Sequence, residues 1–114
     1  MEKMNNEITI LPKLYDLMLW YSDKFAKYPK KYKYNLGDRI FTLMLDILEN
    51  IIEAKYGRSK KQFLKNVNLS LEKLRFLIRL SKDTQCLTIK AYEYASKEID
   101  EIGKMTGGWL KVGD

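Results

Sequence analysis

The sequence predicts an all-α fold, an antiparallel up-down four-helix bundle, on three observations. Apolar residues recur at helical spacing in four successive stretches, each several turns long. The breaks between those stretches are short and carry residues that stop or start helices. A chain of 114 residues, 46% hydrophobic and 32% charged, suits one domain spanning 1–114 around one core. Short connections leave consecutive helices antiparallel.

The first helix is expected from Leu11 to Lys27, with Pro12 accommodated in its first turn. Leu14, Leu17, Met18, Tyr21 and Phe25 supply its buried stripe. Pro29 disfavours helical geometry at Tyr28 and ends it. A basic, aromatic linker follows, Lys30-Lys31-Tyr32-Lys33-Tyr34, with Asn35 as the next N-cap and Asp38 near the positive helix end. The second helix, Leu36 to Tyr56, spreads its apolar residues over an arc of roughly 200°. That is wider than one core stripe, and Phe41, Leu45, Leu48 and Ile52 at its edge are open to contact with another subunit.

Gly57 and Arg58 make the next turn, and Ser59 with Gln62 reads as a capping box. The third helix is expected from Lys60 to Lys82. Its residues Phe63, Leu64, Val67, Leu71, Leu74 and Ile78 fall within about 100° and form the core face. Leu69, Phe76 and Leu80 lie nearly opposite, at spacings of seven and four. Exposed apolar residues scattered singly need no explanation, but three aligned over three turns call for a partner surface. This stripe is the expected interface of a homo-oligomer. A polar connection, Asp83 to Leu87, leads to Thr88 as the N-cap of the fourth helix. That helix carries Ile89, Tyr92, Ala95, Ile99, Ile102 and Met105 at helical spacing. Gly103 inside it suits a close approach that leaves no room for a side chain. Gly107-Gly108 should end the helix and turn Trp109 and Leu110 back onto the bundle. The 1–2 and 3–4 turns share one end, which brings Lys30–Lys33 toward Arg79 and Lys82.

The residue inventory narrows the chemistry. There is no histidine, so no Ser-His-Asp, Cys-His or metal-histidine arrangement exists. Gly37, Gly57 and Gly103 stand isolated, which excludes a phosphate-cradling glycine-rich loop. No pair of carboxylates stands out from ordinary surface acids. The expectation is a protein without enzymatic activity, cofactor or metal. No apolar run approaches the roughly 20 residues that span a bilayer. Residues 1–10 carry Glu2 and Glu7 and lack a signal peptide's layout, and Cys86 is the only cysteine. A cytoplasmic location without membrane attachment follows as the expectation. Cys86 and the two tryptophans, Trp20 and Trp109, read as packing residues.

The net charge of +6 is unevenly spread. Residues 1–34 hold seven bases and four acids, and 35–56 hold two and four. Residues 57–83 hold eight and two, and 84–114 hold four and five. Such a focus attracts polyanions, RNA or DNA above all, although a solubilising surface would look the same. The candidate binding residues are Arg58, Lys60, Lys61, Lys65, Arg75, Arg79 and Lys82, joined by Lys30, Lys31 and Lys33 of the linker. Tyr32 and Tyr34 are placed to stack on bases, or to pack on the bundle end. Arg75 and Arg79, one turn apart, suit neighbouring phosphates or a phosphate and a carboxylate, the alternative being a network around Glu72.

Several stretches carry a resemblance in a fixed order. They are Leu19-Trp20-Tyr21 to Tyr28-Pro29, Asn35-Leu36-Gly37-Asp38-Arg39-Ile40 and Glu53-Ala54-Lys55-Tyr56. Leu74-Arg75-Phe76-Leu77-Ile78-Arg79-Leu80 and Ile102-Gly103-Lys104-Met105-Thr106-Gly107-Gly108-Trp109-Leu110 complete the set. From about Leu14 to Lys111 the chain resembles the accessory variability determinant (Avd) proteins of diversity-generating retroelements. The resemblance implies a four-helix bundle in a five-subunit ring, a homopentamer. It also implies binding to the element's reverse transcriptase and to nucleic acid in support of mutagenic complementary-DNA synthesis. Arg75 and Arg79 carry over as partner contacts. The bundle proteins encoded in intervening sequences of ribosomal RNA genes share so much of this pattern that the sequence does not separate the two. A structural or protein-interaction oligomer with incidental basic charge is a third reading, and an enzyme built on converging carboxylates a fourth.

Overall fold

The computed structural model describes residues 2–112, with side chains from residue 9 onward. Four long helices account for most of it: α1 (Glu2–Phe25), α2 (Asp38–Tyr56), α3 (Lys60–Asp83) and α4 (Ile89–Val112). Each packs on its neighbour in sequence, and α4 closes the bundle against α1. The all-α up-down four-helix bundle read from the apolar periodicity is the observed fold. Among the described residues no helix is long and apolar enough to cross a membrane.

The core is continuous along the bundle. Leu14, Leu17 and Tyr21 of α1 meet Ile40, Met44 and Ile47 of α2, Leu64, Leu71 and Ile78 of α3, and Ala95, Ile99 and Ile102 of α4. The inner face of α3 is the expected one, except that Phe63 is only half-buried and Ser81 extends the stripe. Of the wide apolar arc of α2, Phe41 and Leu48 are half-buried, and Leu45 and Ile52 face outward.

The boundaries needed four corrections. α1 begins at Glu2, well before Leu11, so Pro12 is an interior residue rather than a first-turn one. It sits on the exposed side, where its missing N–H and the crowding of its ring act outside the core. Second, the basic linker is helical. Lys30–Tyr32 forms one α-turn, and Lys33–Gly37 a widened π-turn that runs into α2. Pro29, extended at φ −56° and ψ 141°, starts this run, its carbonyl accepting from the Tyr32 and Lys33 amides. Asn35 therefore lies inside the run and does not cap α2. Its side-chain amide donates to the Lys31 carbonyl, and its Oδ1 accepts from the Leu36 N–H.

Third, Ser59 precedes α3 as expected but forms no capping box. Gln62 instead donates to Asn66, which donates in turn to Asn50 of α2. Fourth, α4 passes through Gly107-Gly108 and ends only at Val112. Trp109 is fully buried. Burying an indole removes 150–250 Å² from water, worth roughly 4–6 kcal/mol at about 25 cal/mol/Å², less about 1–3 kcal/mol for its buried Nε1–H, which has no hydrogen-bond partner among the described residues. Two helical glycines cost about 1–2 kcal/mol, which this burial offsets, and the tryptophan reaches the core without folding back. Thr88 does cap α4, its Oγ1 accepting from the Ala91 N–H at 3.0 Å.

At the end where the α1–α2 and α3–α4 turns meet, polar groups are buried in pairs. The Tyr28 hydroxyl donates to Ser81 Oγ at 2.7 Å, and the Tyr21 hydroxyl to the Gly37 carbonyl at 2.8 Å. A Cβ at residue 37 would stand 3.0 Å from the Phe25 ring and 3.2 Å from that of Tyr28, which is why the widened turn carries glycine there. Burial holds both phenols above the ordinary tyrosine range. These ties fix the Lys30–Lys33 segment beside the C-terminal end of α3, as the helix order requires.

Candidate nucleic-acid and partner interface

The candidate site is built on the outer half of α3. Because Val67, Leu71, Leu74 and Ile78 commit one face to the core, a periodicity of 3.6 puts Leu69, Phe76 and Leu80 on the far side. There they are 58%, 67% and 46% exposed. Phe76 and Leu80, with Leu77, also form one wall of an open groove of about 1230 Å³. Tyr32, Leu36 and Leu43 form the other wall, and Arg39 and Lys73 stand at its rim.

The basic residues beside this stripe fall into two kinds. Arg75 is held. Its Nε lies 3.1 Å from Asp100 Oδ1 of α4, and its Nη1 3.3 Å from Glu72 Oε2 one turn back. Its Nη2 occupies the space that a side chain on residue 103 would take, 3.0 Å from the Cβ position. Gly103 thus makes room for the guanidinium to cross from α3 to α4. The network around Glu72 is present and reaches further than the sequence indicated.

Arg79 is exposed, its nearest anion being Asp83 at 3.9 Å, outside good hydrogen-bonding distance. Lys61 and Lys65 point into solvent on the same flank. Lys82 is half-buried, its ammonium 4.6 Å from the centre of the Tyr92 ring and 3.5 Å from Asp83. Lys60 lies over Trp109 at 5.9 Å, and Arg58 is exposed in the turn before α3.

The linker cations sit at the other end of the same helix. Lys30 and Lys31 are exposed, and Lys33 lies 5.3 Å from the Phe25 ring and 5.8 Å from that of Tyr34. Tyr34 is exposed and Tyr32 half-buried against the groove, so the two tyrosines divide between the base-stacking and packing readings. The ten candidate cations do not gather in one patch. Arg58, Lys60 and Lys61 stand at one end of α3, and Lys82 with Lys30–Lys33 at the other, roughly 30 Å apart at 1.5 Å per residue. Lys65, Arg75 and Arg79 lie between, making a line rather than a cluster.

Three features escaped the sequence reading. Asp100, the partner of Arg75, is 25 residues away on another helix, and nothing local marks it. Arg39 and Lys73 at the groove rim were passed over, although they flank its two walls. Tyr15 and Leu19 on α1 are 58% and 56% exposed and lie on the side of α1 that meets Leu48 and Ile52. Their spacing of four, off the stripe of Leu14, Leu17, Met18 and Tyr21, would have revealed them. Cys86 is half-buried in the α3–α4 turn, and Trp20 packs on Tyr94 with ring centres 4.8 Å apart.

Comparison with known protein families gives a match. The family described as bAvd-like matches over residues 8–112, nearly the whole chain. No curated protein and no solved structure matches it.

Proposed function

This chain belongs to the bAvd-like family, and from that premise we propose that it is a non-enzymatic accessory protein of a diversity-generating retroelement. It acts in the cytoplasm as a ring of five copies. The ring binds RNA or DNA without sequence preference and holds the element's reverse transcriptase, supporting mutagenic complementary-DNA synthesis. The line of outward cations along α3, Lys61, Lys65 and Arg79, is the observation that supports nucleic-acid binding. They run beside an apolar stripe that a soluble monomer has no use for. Arg75 belongs to this surface but is already shared between Glu72 and Asp100. Its part in binding is therefore smaller than that of Arg79. The end cluster of Lys82, Lys30, Lys31 and Lys33 extends the line, and Arg58 and Lys60 begin it.

Phosphate contacts release counterions, so affinity should fall steeply with salt. Three neutralised phosphates raise Kd by roughly twenty- to forty-fold between about 50 and 200 mM salt. Fluorescence titration of a labelled 30-nucleotide RNA and its DNA equivalent measures this. Replacing Lys61 and Arg79 by Ala should flatten the slope without unfolding the bundle. Absence of binding at the lower salt, or binding that salt leaves unchanged, would reject the nucleic-acid role and leave a protein-interaction oligomer.

A further inference from the structure

Among the described residues two apolar faces are left open to solvent, and they differ in shape and in the charge at their edges. One is the ridge of Leu69, Phe76 and Leu80 on α3. The other runs along the seam of α1 and α2. Leu11, Pro12 and Tyr15 of α1 and Leu48 and Ile52 of α2 line an apolar hollow there of about 400 Å³, and Leu19 and Leu45 are exposed farther along the two helices. We propose that these two faces are each other's partners: the α3 ridge of one copy seats in the α1–α2 hollow of the next. This rests on the reading that the α3 stripe is a contact between copies, and adds which surface receives it.

Charge selects this pairing over the alternatives. At 100° per residue, Lys65 and Lys73 flank the ridge of Leu69, Phe76 and Leu80, one on each side. Both are exposed. On the receiving side, Asp16 lines the hollow itself, and Glu49 is exposed on α2 between Leu45 and Ile52. Two ridges brought face to face would oppose Lys65 and Lys73 to their own copies, which is repulsive. Two hollows would oppose Asp16 and Glu49 in the same way. Ridge against hollow sets lysines against carboxylates.

Dimensions agree as well. The ridge from Leu69 to Leu80 is roughly 16 Å long, and the strip from Leu11 to Leu19 roughly 12 Å, at 1.5 Å per residue. A contact between two different patches of one chain is heterologous. An open chain of copies then keeps one unused ridge at one end and one unused hollow at the other until a ring closes. The contact takes up Lys65 and leaves Lys61 and Arg79, farther round α3 toward α4, outside it and free for a polyanion.

Complementation tests this directly. Phe76→Glu destroys the ridge and leaves the hollow; Tyr15→Glu destroys the hollow and leaves the ridge. Light scattering at micromolar concentration should show each variant alone at the mass of one chain. Their equimolar mixture should show the mass of two chains and no more, because only one intact ridge meets one intact hollow. Circular dichroism checks that each variant is helical, and Leu19→Glu replaces Tyr15→Glu should the latter unfold. If Phe76→Glu dissociates the protein but the hollow variants stay assembled, the α3 stripe is a self-contact and the pairing is wrong. Two monomeric variants that fail to associate on mixing overturn it equally. A monomeric wild type removes the pairing together with the reading beneath it.

Discussion

The inner and outer faces of α3 are built from the same residue types at the same spacing, yet they meet opposite fates. Leu64, Leu71, Leu74 and Ile78 are sealed from water, whereas Leu69, Phe76 and Leu80 stand 46% to 67% exposed. Their surroundings separate them. The inner stripe is unbroken by charge, and its one polar member, Ser81, is paired with Tyr28. The outer stripe is interrupted by Lys65, Lys73 and Arg79. An apolar repeat therefore says that a surface is to be covered, and the charge between its members says whether by the same chain or by another.

The sharpest way to break this comparison is to truncate one residue on each face. Leu71→Ala opens a cavity in the core and should lower stability by roughly 2–5 kcal/mol. Phe76→Ala, in protein dilute enough to be monomeric, should change it by no more than about 0.5 kcal/mol. Urea denaturation followed by circular dichroism gives both values. Equal losses would mean that the outer stripe is packed within the subunit after all.

A smaller effect tests the polar end of the inner face. Tyr28→Phe leaves Ser81 Oγ buried without its donor, and should cost about 1–3 kcal/mol. The same phenol carries a pH signature. Burial raises the folded-state pKa of Tyr28, and of Tyr21 beside it, above the unfolded value near 10. Below pH 10 both states keep their protons and stability is unaffected. As pH rises beyond about 10, the unfolded phenols ionise while the buried ones resist, so the folded state loses ground. Tyr28→Phe should make that alkaline decline shallower. A decline of unchanged steepness would assign it to Tyr21 or to the surface tyrosines.

Four helices and their inner faces were legible in the sequence because burial imprints a period of 3.6 that no local residue disturbs. Boundaries were not, and for a common reason. Pro12, Asn35 and Gly107-Gly108 are strong local signals that non-local packing overrode. At Gly107-Gly108 the burial of Trp109 offsets what two helical glycines cost. Of the site, the outer stripe and the flank of cations were readable from the same wheel that located the core. Pairings were not. Arg75 could be seen to reach Glu72, three residues away, but not Asp100, because a contact between helices leaves no trace in either helix's periodicity. Gly103 was the one sequence clue to it, a helical residue whose missing side chain needed a reason.

The smallest effects concern the two arginines one turn apart, and they should run in opposite orders for folding and for binding. Arg75 bridges Glu72 and Asp100, but all three side chains are at least one-third exposed, so water and salt weaken the attraction. Arg75→Ala should therefore cost no more than about 1 kcal/mol. Arg79, whose nearest acid lies 3.9 Å away, should cost close to nothing on replacement. For a polyanion the order reverses. Arg75 has to leave two carboxylates before a phosphate can claim it, and those carboxylates repel the phosphate as it approaches. Arg79 has little to give up. Arg79→Ala should thus weaken nucleic-acid affinity several-fold and reduce the salt slope by about one contact, with Arg75→Ala changing both less. Asp100→Asn provides the check, since it frees one side of Arg75 and should strengthen binding modestly while loosening the fold slightly. Were Arg75→Ala the more damaging variant for binding, the guanidinium would have to turn away from Asp100 when the ligand arrives. The distinction between held and exposed cations on α3 would then describe only the free protein.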